Sequence, residues 1–274
     1  MFQPQTFGIL NITADSFSDG GKFLAPGAAL AHAEKLIGDG ADVLDIGGAS
    51  SNPDSAPVPV ETEMARLKPI VRRAKKEGWP ISVDSYAPET QAWALSEGVE
   101  YLNDIQGFPY PEFYPQLANS EAKLIIMHSV QERGRAQRIE TDPETILDRI
   151  GSFFKQRVHA LTSAGIERER IILDPGMGFF LGAGQEASVT VLRNLSEIKY
   201  AFGLPLLVSV SRKGFLRKLT GRPVAEIGPA SLVAELYAAR HGADMIRTHD
   251  PKALRDALTI WCHIEACDKV ATEG

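Results

Sequence analysis

The chain has 274 residues, of which 44% are hydrophobic and 23% charged, with a formal net charge of −6. That length fits one barrel-sized domain or two small ones, and the apolar share suffices for a large buried core. The acidic balance argues against nucleic acid as a partner, and no apolar run approaches the ~20 residues that a membrane-spanning helix needs.

Short apolar runs alternate with helix-like stretches. The first run, 6–13, passes through Asn11 into a polar loop holding Asp15, Ser16, Phe17, Ser18, Asp19, Gly20 and Gly21. Residues 28–37 then set Ala29, Leu30, Ala33, Leu36 and Ile37 on one helical face. The second run, 42–48, carries Asp45; a Ser- and Pro-rich loop, 49–59, leads to a helix over 60–77. The third, 81–84, ends at Asp84, and Pro88 opens the next helix. The fourth, 101–105, carries Asn103 and Asp104, and the fifth, 123–128, ends at His128. A long charged loop, 129–142, follows; Pro143 opens a helix that Gly165 stops. The sixth run, 170–174, ends at Asp174 before Pro175-Gly176-Met177-Gly178. The seventh, 206–210, leads into Ser211-Arg212-Lys213, and the eighth, 244–249, ends in Arg247-Thr248-His249. A last helix spaces Leu254, Ala257, Leu258, Trp261 and Cys262 along one stripe, so a packing role is expected for Cys262. The tail is expected to fray after about residue 267.

Eight βα units with no linker between them predict an α/β protein, a single (β/α)8 TIM barrel over 1–274. The rival is an open doubly wound sheet; polar residues after both the first and the last strand favour closure. The two cysteines, Cys262 and Cys267, have no metal-like or redox-like spacing. No basic segment followed by a long apolar one stands near residue 1, so a cytoplasmic setting is expected, where the sequon at Asn11 is a coincidence.

In a closed barrel the strand ends meet at one C-terminal mouth, where barrel enzymes work. Any one strand-end Asp is more often a cap or a loop brace. Asp45, Asp84 and Asp174 together, with Asn103, offer acceptors and an amide to a flat heterocycle rich in N–H groups, because a carboxylate accepts two parallel bonds from an amidine-like edge. The same oxygens suit a metal only if several converge, which spacing does not reveal. A lone Arg-Lys pair is usually a solvated surface. Here Ser211-Arg212-Lys213 and Arg247-Thr248-His249 follow adjacent strands, where barrels often bind phosphate, and alternation sends Arg247 and His249 to the same side. The first loop is suited to closing over a ligand, although a plain turn explains it equally. Pro175-Gly176-Met177-Gly178 lacks the third glycine of a dinucleotide fingerprint. His32, His159, His241 and His263 fall in helices, where packing or solvation is the ordinary role; His128 stays ambiguous.

These segments resemble the dihydropteroate synthases. Residues 7–21 match the first signature of that family. Residues 42–48, Ser82-Val-Asp-Ser85, Asn103-Asp-Ile105, Leu173-Asp-Pro-Gly-Met-Gly-Phe179, Ser211-Arg-Lys213 and Arg247-Thr-His-Asp250 match later ones, in order, from about Phe7 to Ala257. The resemblance implies condensation of a 7,8-dihydropterin-CH2-pyrophosphate with p-aminobenzoate, giving 7,8-dihydropteroate and pyrophosphate by an SN1-like route in folate biosynthesis. By the same resemblance Asp84, Asn103, Asp174 and Lys213 would bind the pterin. Arg247 and His249 would hold the pyrophosphate, and Asn11 would contact a Mg2+ bound to it. Asp19 would support the cationic intermediate, making Asp19, Lys213, Arg247 and His249 the expected catalytic set. Phe17, Ser51, Pro53, Phe179 and Ser211 would shape the p-aminobenzoate pocket. Asp45 matches a recurrent family position and receives no role. The family also implies a homodimer formed by helices late in the barrel.

Three departures stand out. Where the family has Glu-Ser-Thr-Arg-Pro-Gly, this chain has Ala49-Ser-Ser-Asn-Pro-Asp54, so Asn52 replaces an arginine. The stretch from Gly178 to Gln185 is longer by a phenylalanine. Gly214 stands in place of the usual serine. The first two features resemble the sulfonamide-insensitive synthases carried on mobile elements. Added bulk at Phe179 or Phe180 would then exclude drugs that project further than the flat substrate; the alternative is that the insertion only adjusts loop packing. Rival functions are a methyltetrahydrofolate-binding barrel, which has less use for Lys213, Arg247 and His249, and an inactive pterin-binding paralogue, to which Asn52 lends weight. A metal-dependent hydrolase would need His-x-His and similar clusters, which the sequence lacks.

Overall fold

The computed structural model of the chain describes residues 3–13, 25–131, 134, 136–137 and 139–271. Eight parallel strands are β1 (Gln5–Asn11), β2 (Val43–Gly47), β3 (Ile81–Asp84), β4 (Tyr101–Asp104), β5 (Lys123–Met127), β6 (Ile171–Asp174), β7 (Leu207–Val208) and β8 (Met245–Thr248). Between and after them run α1 (Pro26–Gly38), α2 (Val60–Glu77), α3 (Pro88–Ser96), α4 (Tyr114–Ala118), α5 (Ile146–Ser163), α6 (Glu186–Arg193), α7 (Leu195–Phe202), α8 (Gly214–Thr220), α9 (Gly228–Arg240) and α10 (Pro251–Ala271). The ladder order is β6-β5-β4-β3-β2-β1-β8-β7. A bridge between Leu173 and Leu206 brings the two ends together, with Leu173 N donating to Pro205 O at 2.9 Å. The barrel closes there, and the doubly wound alternative falls.

Side-chain alternation splits the apolar residues into two cores. Phe7, Val43, Tyr101, Ile125, Ile172, Leu207 and Met245 point inward and plug the barrel floor. Residues of opposite parity, such as Leu10, Leu44, Ile46 and Val83, face the helices. The helices answer with stripes at 3.6-residue period: Leu67, Ile70, Val71 and Ala74 on α2, and Ile146, Ile150, Phe154, Val158 and Leu161 on α5. Because the floor is filled, the inward positions one and two steps further along each strand form the base of an open mouth.

Some boundaries differ from expectation for local reasons. Residues 143–145 form a turn, since Asp142 accepts from Glu144 N at 2.9 Å through its side chain and from Thr145 N at 3.2 Å through its carbonyl; α5 therefore starts three residues after Pro143. Strand β7 has two residues instead of five, because the chain turns at Lys213 N→Val210 O, 3.2 Å. The backbone of α10 continues to Ala271, past the expected fraying point. Its apolar stripe leaves the barrel early: Leu254 and Leu258 are buried, while Trp261 is 40% exposed and Cys262 is a half-buried free thiol. The packing role expected of Cys262 is thus only partial.

Candidate active site

Strand register gathers the polar residues. Asn11 pairs with Gly47, Gly47 with Asp84, and Asp84 with Asn103, so one tier crosses four strands at the barrel rim. Gly47 leaves a gap in that tier: a Cβ there would lie 3.6 Å from Asn11 Oδ1 and 3.8 Å from the Asp84 side chain. One step below, Asp45 pairs in register with Ser82 and is fully buried.

Arg247 binds the two tiers together. Its Nε lies 2.5 Å from Asp45 Oδ2 and its Nη2 lies 2.6 Å from Asp84 Oδ2. Asp45 Oδ1 also accepts the Ser82 hydroxyl at 2.6 Å and the Asn103 amide at 3.4 Å. Asp45, which sequence reading left without a role, is therefore the acid that fixes Arg247. Its signal was its parity: it lies two residues before Gly47 and so points inward with it.

Two further elements complete the floor. Asp174 Oδ1 accepts Gly176 N at 2.8 Å. Gly176 has φ +73°, and a Cβ on it would run into the His128 carbonyl, so the tight turn after β6 requires glycine. His128, left ambiguous by the sequence, lies 3.3 Å from Pro175 O through Nδ1 and packs edge-on against Phe153. Burial lowers its pKa to about 4, which makes it a neutral brace for that turn. After β7, Arg212 adopts φ +56° and donates its N–H to the Ser231 hydroxyl of α9 at 3.0 Å. That turn leads into Lys213, the cap position of α8. Ser211 Oγ accepts His249 N at 3.2 Å, joining the loops after β7 and β8.

The mouth is one cavity. Asn11, Asp84, Ser211, Lys213, Arg247 and His249 line it, and so do Ser51, Pro53, Phe179 and Phe180. Asn103 and Asp174 are buried beside this lining without forming part of it. Phe17 and Asp19 lie outside the described residues. Sequence reading missed Arg217 and Ala136, which also line the cavity. The loop 129–142 reads from the sequence as long, polar and charged, with no role in the site. In the fold, Ala136 N donates to Ser51 O at 3.0 Å, Val130 N to Phe180 O at 2.9 Å and Ala183 N to Ile139 O at 2.7 Å. The loop therefore links the loops after β2 and β6 across the mouth.

Burial controls the charges. It raises the Asp84 carboxyl, and Asp45 adds to the effect against Arg247 and Lys213. It pushes Asp174 up to about 6, opposed by the Gly176 N–H and Lys213. It lowers Lys213 to about 8, aided by Arg247. His249 is lowered well below its usual value by burial and then by Arg212, Arg247 and Lys213, so it is neutral near pH 7. Among the described residues no group of three His, Cys, Asp or Glu side chains is placed to hold a metal. No described helix is long and apolar enough to cross a membrane.

A match to the pterin binding enzymes spans residues 7–249, which is most of the chain and all of the mouth. The type-2 dihydropteroate synthase of Escherichia coli is 59% identical over 254 residues, covering 93% of each chain. The chain belongs to the dihydropteroate synthases. Among solved structures of this family, the Xanthomonas albilineans enzyme with 4-aminobenzoic acid superposes with a TM-score of 0.86 at 35% identity, covering 96% of this chain and 94% of that one. The same enzyme in complex with 7,8-dihydropteroate gives 0.81 at 33% identity, with the same coverage.

The Arg247 clamp gives a stability prediction for this synthase. Asp45→Ala removes one of the two carboxylates that hold a buried guanidinium and is expected to cost about 3 kcal/mol. Asp45→Ala with Arg247→Ala should cost at least ~1 kcal/mol less than the sum of the two single variants. Urea unfolding of the four proteins measures this; strict additivity would rule the clamp out.

Proposed function

We infer that the chain condenses a 7,8-dihydropterin-CH2-pyrophosphate with p-aminobenzoate, giving 7,8-dihydropteroate and pyrophosphate in folate biosynthesis. The observation that carries this is a mouth joining buried carboxylates to Lys213 and Arg247 in a chain 59% identical to a dihydropteroate synthase. The methylene–oxygen bond of the pterin substrate breaks and the electron pair leaves on the diphosphate. The amine nitrogen then bonds to the methylene carbon and loses a proton.

We assign Asp84, Asn103, Asp174 and Lys213 to the pterin. Their burial supports this, since a desolvated carboxylate with an open oxygen seeks N–H donors. Arg247 and His249 would face the departing diphosphate together with Asn11, where fixed charge lowers the cost of bond breaking. Asp19 would steady the cation from the first loop. Phe17, Ser51, Pro53, Phe179 and Ser211 would receive the aminobenzoate ring. Asn11 offers one hard oxygen, and among the described residues it belongs to no cluster of three acidic, His or Cys side chains. It fits a Mg2+ that arrives on the diphosphate and keeps other ligands of its own; when bound, such an ion would neutralise the leaving group.

Phe180 is packed among Ile105, Met127 and Ala136, with Phe179 against the same cluster, and the Lys213 ammonium lies 5.4 Å from the Phe180 ring. Phe179 is the more exposed of the two. We propose that this bulk lowers sensitivity to sulfonamides by shape. We also propose a homodimer. Among the described residues, the exposed large hydrophobics Tyr200, Leu219, Val233, Tyr237, Ile260, Trp261 and Ile264 all fall on α7–α10. Arg240 and Glu265, 3.1 Å apart, hold α9 beside α10. A face of this kind is usually covered.

Pyrophosphate release from the purified chain, dependent on both substrates, tests the reaction; its absence would end this assignment. The rate should be bell-shaped in pH. Below about 6 Asp174 takes up a proton and stops accepting N–H bonds, and above about 8 Lys213 loses its charge. Lys213→Arg, if it turns over, should lack the alkaline limb. Phe179→Ala should lower the inhibition constant of sulfamethoxazole about tenfold, or ~1.4 kcal/mol. An unchanged constant in both Phe179→Ala and Phe180→Ala would discard the shape argument. Light scattering should report a dimer that Val233→Glu with Trp261→Glu converts to a monomer; a monomeric parent protein would refute the interface.

A further inference from the structure

Arg217 lies on α8, one helical turn beyond Lys213, and its side chain lines the cavity. Its Nε is buried and has no hydrogen-bond partner among the described residues. A desolvated guanidinium N–H without an acceptor is unfavourable until an anion or another acceptor meets it. The other cations of the wall have acids near them. Arg247 is held by Asp45 and Asp84. Lys213 is attracted by Asp174 and Asp84. Arg212 acts on the buried Glu235 carboxyl of α9.

Two further features of the described residues bear on Arg217. Asn52 also lines the cavity, but it is neutral, and its Oδ1 accepts Asp54 N at 3.2 Å within its own loop. Gly214, three residues before Arg217 and thus on the same face of the helix, has no atom within 4 Å of where a Cβ would stand. The helix wall is therefore open where Arg217 meets the cavity.

We propose that Arg217 binds the carboxylate of p-aminobenzoate and so supplies the positive charge that Asn52 does not. This rests on the reaction inferred above. The carboxylate is favoured over the diphosphate by position. The departing diphosphate must reach Asn11, Arg247 and His249 at the strand ends, whereas Arg217 is roughly 6 Å further along the helix than Lys213. Apolar neighbours in the same cavity wall, Pro53, Phe179 and Val224, suit an aryl ring that carries its charge at one end. A guanidinium fork also fits a carboxylate better than an ammonium would.

Steady-state kinetics of the parent protein, Arg217→Met and Arg217→Lys decide the matter, with each substrate varied in turn. The Met variant should raise the KM for p-aminobenzoate about tenfold or more, with the KM for the dihydropterin pyrophosphate and kcat within about twofold. The parent should prefer p-aminobenzoate to its uncharged methyl ester, and the Met variant should lose that preference. The Lys variant should recover part of it. An unchanged KM for p-aminobenzoate, or a rise confined to the pterin substrate, would overturn the assignment. Thermal melting of each variant checks folding; if the Met variant does not fold, Arg217→Gln takes its place with the same expected outcome. A parent protein that releases no pyrophosphate would instead count against the reaction itself.

Discussion

The mouth of this barrel depends on one buried guanidinium. Arg247 lies between Asp45 and Asp84, which come from different strands and different tiers. A charge in that position is tolerable only because two carboxylates and their hydrogen bonds meet it. The clamp in turn sets where everything else can stand. It holds Asp84 at the rim, and Asp45 links it to Ser82 and the Asn103 amide. One planar side chain thus aligns β2, β3, β4 and β8 at the level where their apolar layer stops.

The barrel itself was legible from the chain because its rule is local. Apolar runs of a few residues, each followed by a helical stripe, leave little choice but parallel strands with helices outside. The period-two rule also put Arg247 and His249 on one side, and both line the cavity. The helices α2 and α3 begin where Val60 and Pro88 mark them. Errors gathered where a distant partner or a side-chain turn decided the outcome. Strand β7 is cut short by the turn that leads to Lys213, and α5 starts late because Asp142 captures two N–H groups.

The site was less legible than the fold, for a physical reason. The types of residue at strand ends were visible, but their pairing was not. Nothing near Asp45 in sequence announces an ion pair with a residue 202 positions away. Nothing in the loop 129–142 announces that Ala136 would bond to Ser51. Arg217 sits on a helix, where an exposed arginine is unremarkable; its meaning comes from the cavity beside it and from an unpartnered Nε. Contacts of this kind are set by closure of the barrel and cannot be read from periodicity.

The same closure explains why the mouth is poised for a ligand. Three acids, Asp45, Asp84 and Asp174, converge with two cations, Lys213 and Arg247. Donors are therefore in short supply at the floor. Burial lifts Asp84 and Asp174 toward neutral pH, and Asn103 Oδ1 is buried with no protein partner among the described residues. Beyond the bonds they make to Arg247 and Gly176, these acceptors lose water without a full set of partners, which costs free energy. A flat ring edged with N–H groups would supply what the protein lacks, so local sequence rules are broken where a ligand can repair them. The acidic floor and the basic wall are thus two halves of one requirement. On the reading proposed above, the floor would take a hydrogen-bond donor that carries little charge, and the wall would draw off the negative charge that leaves it.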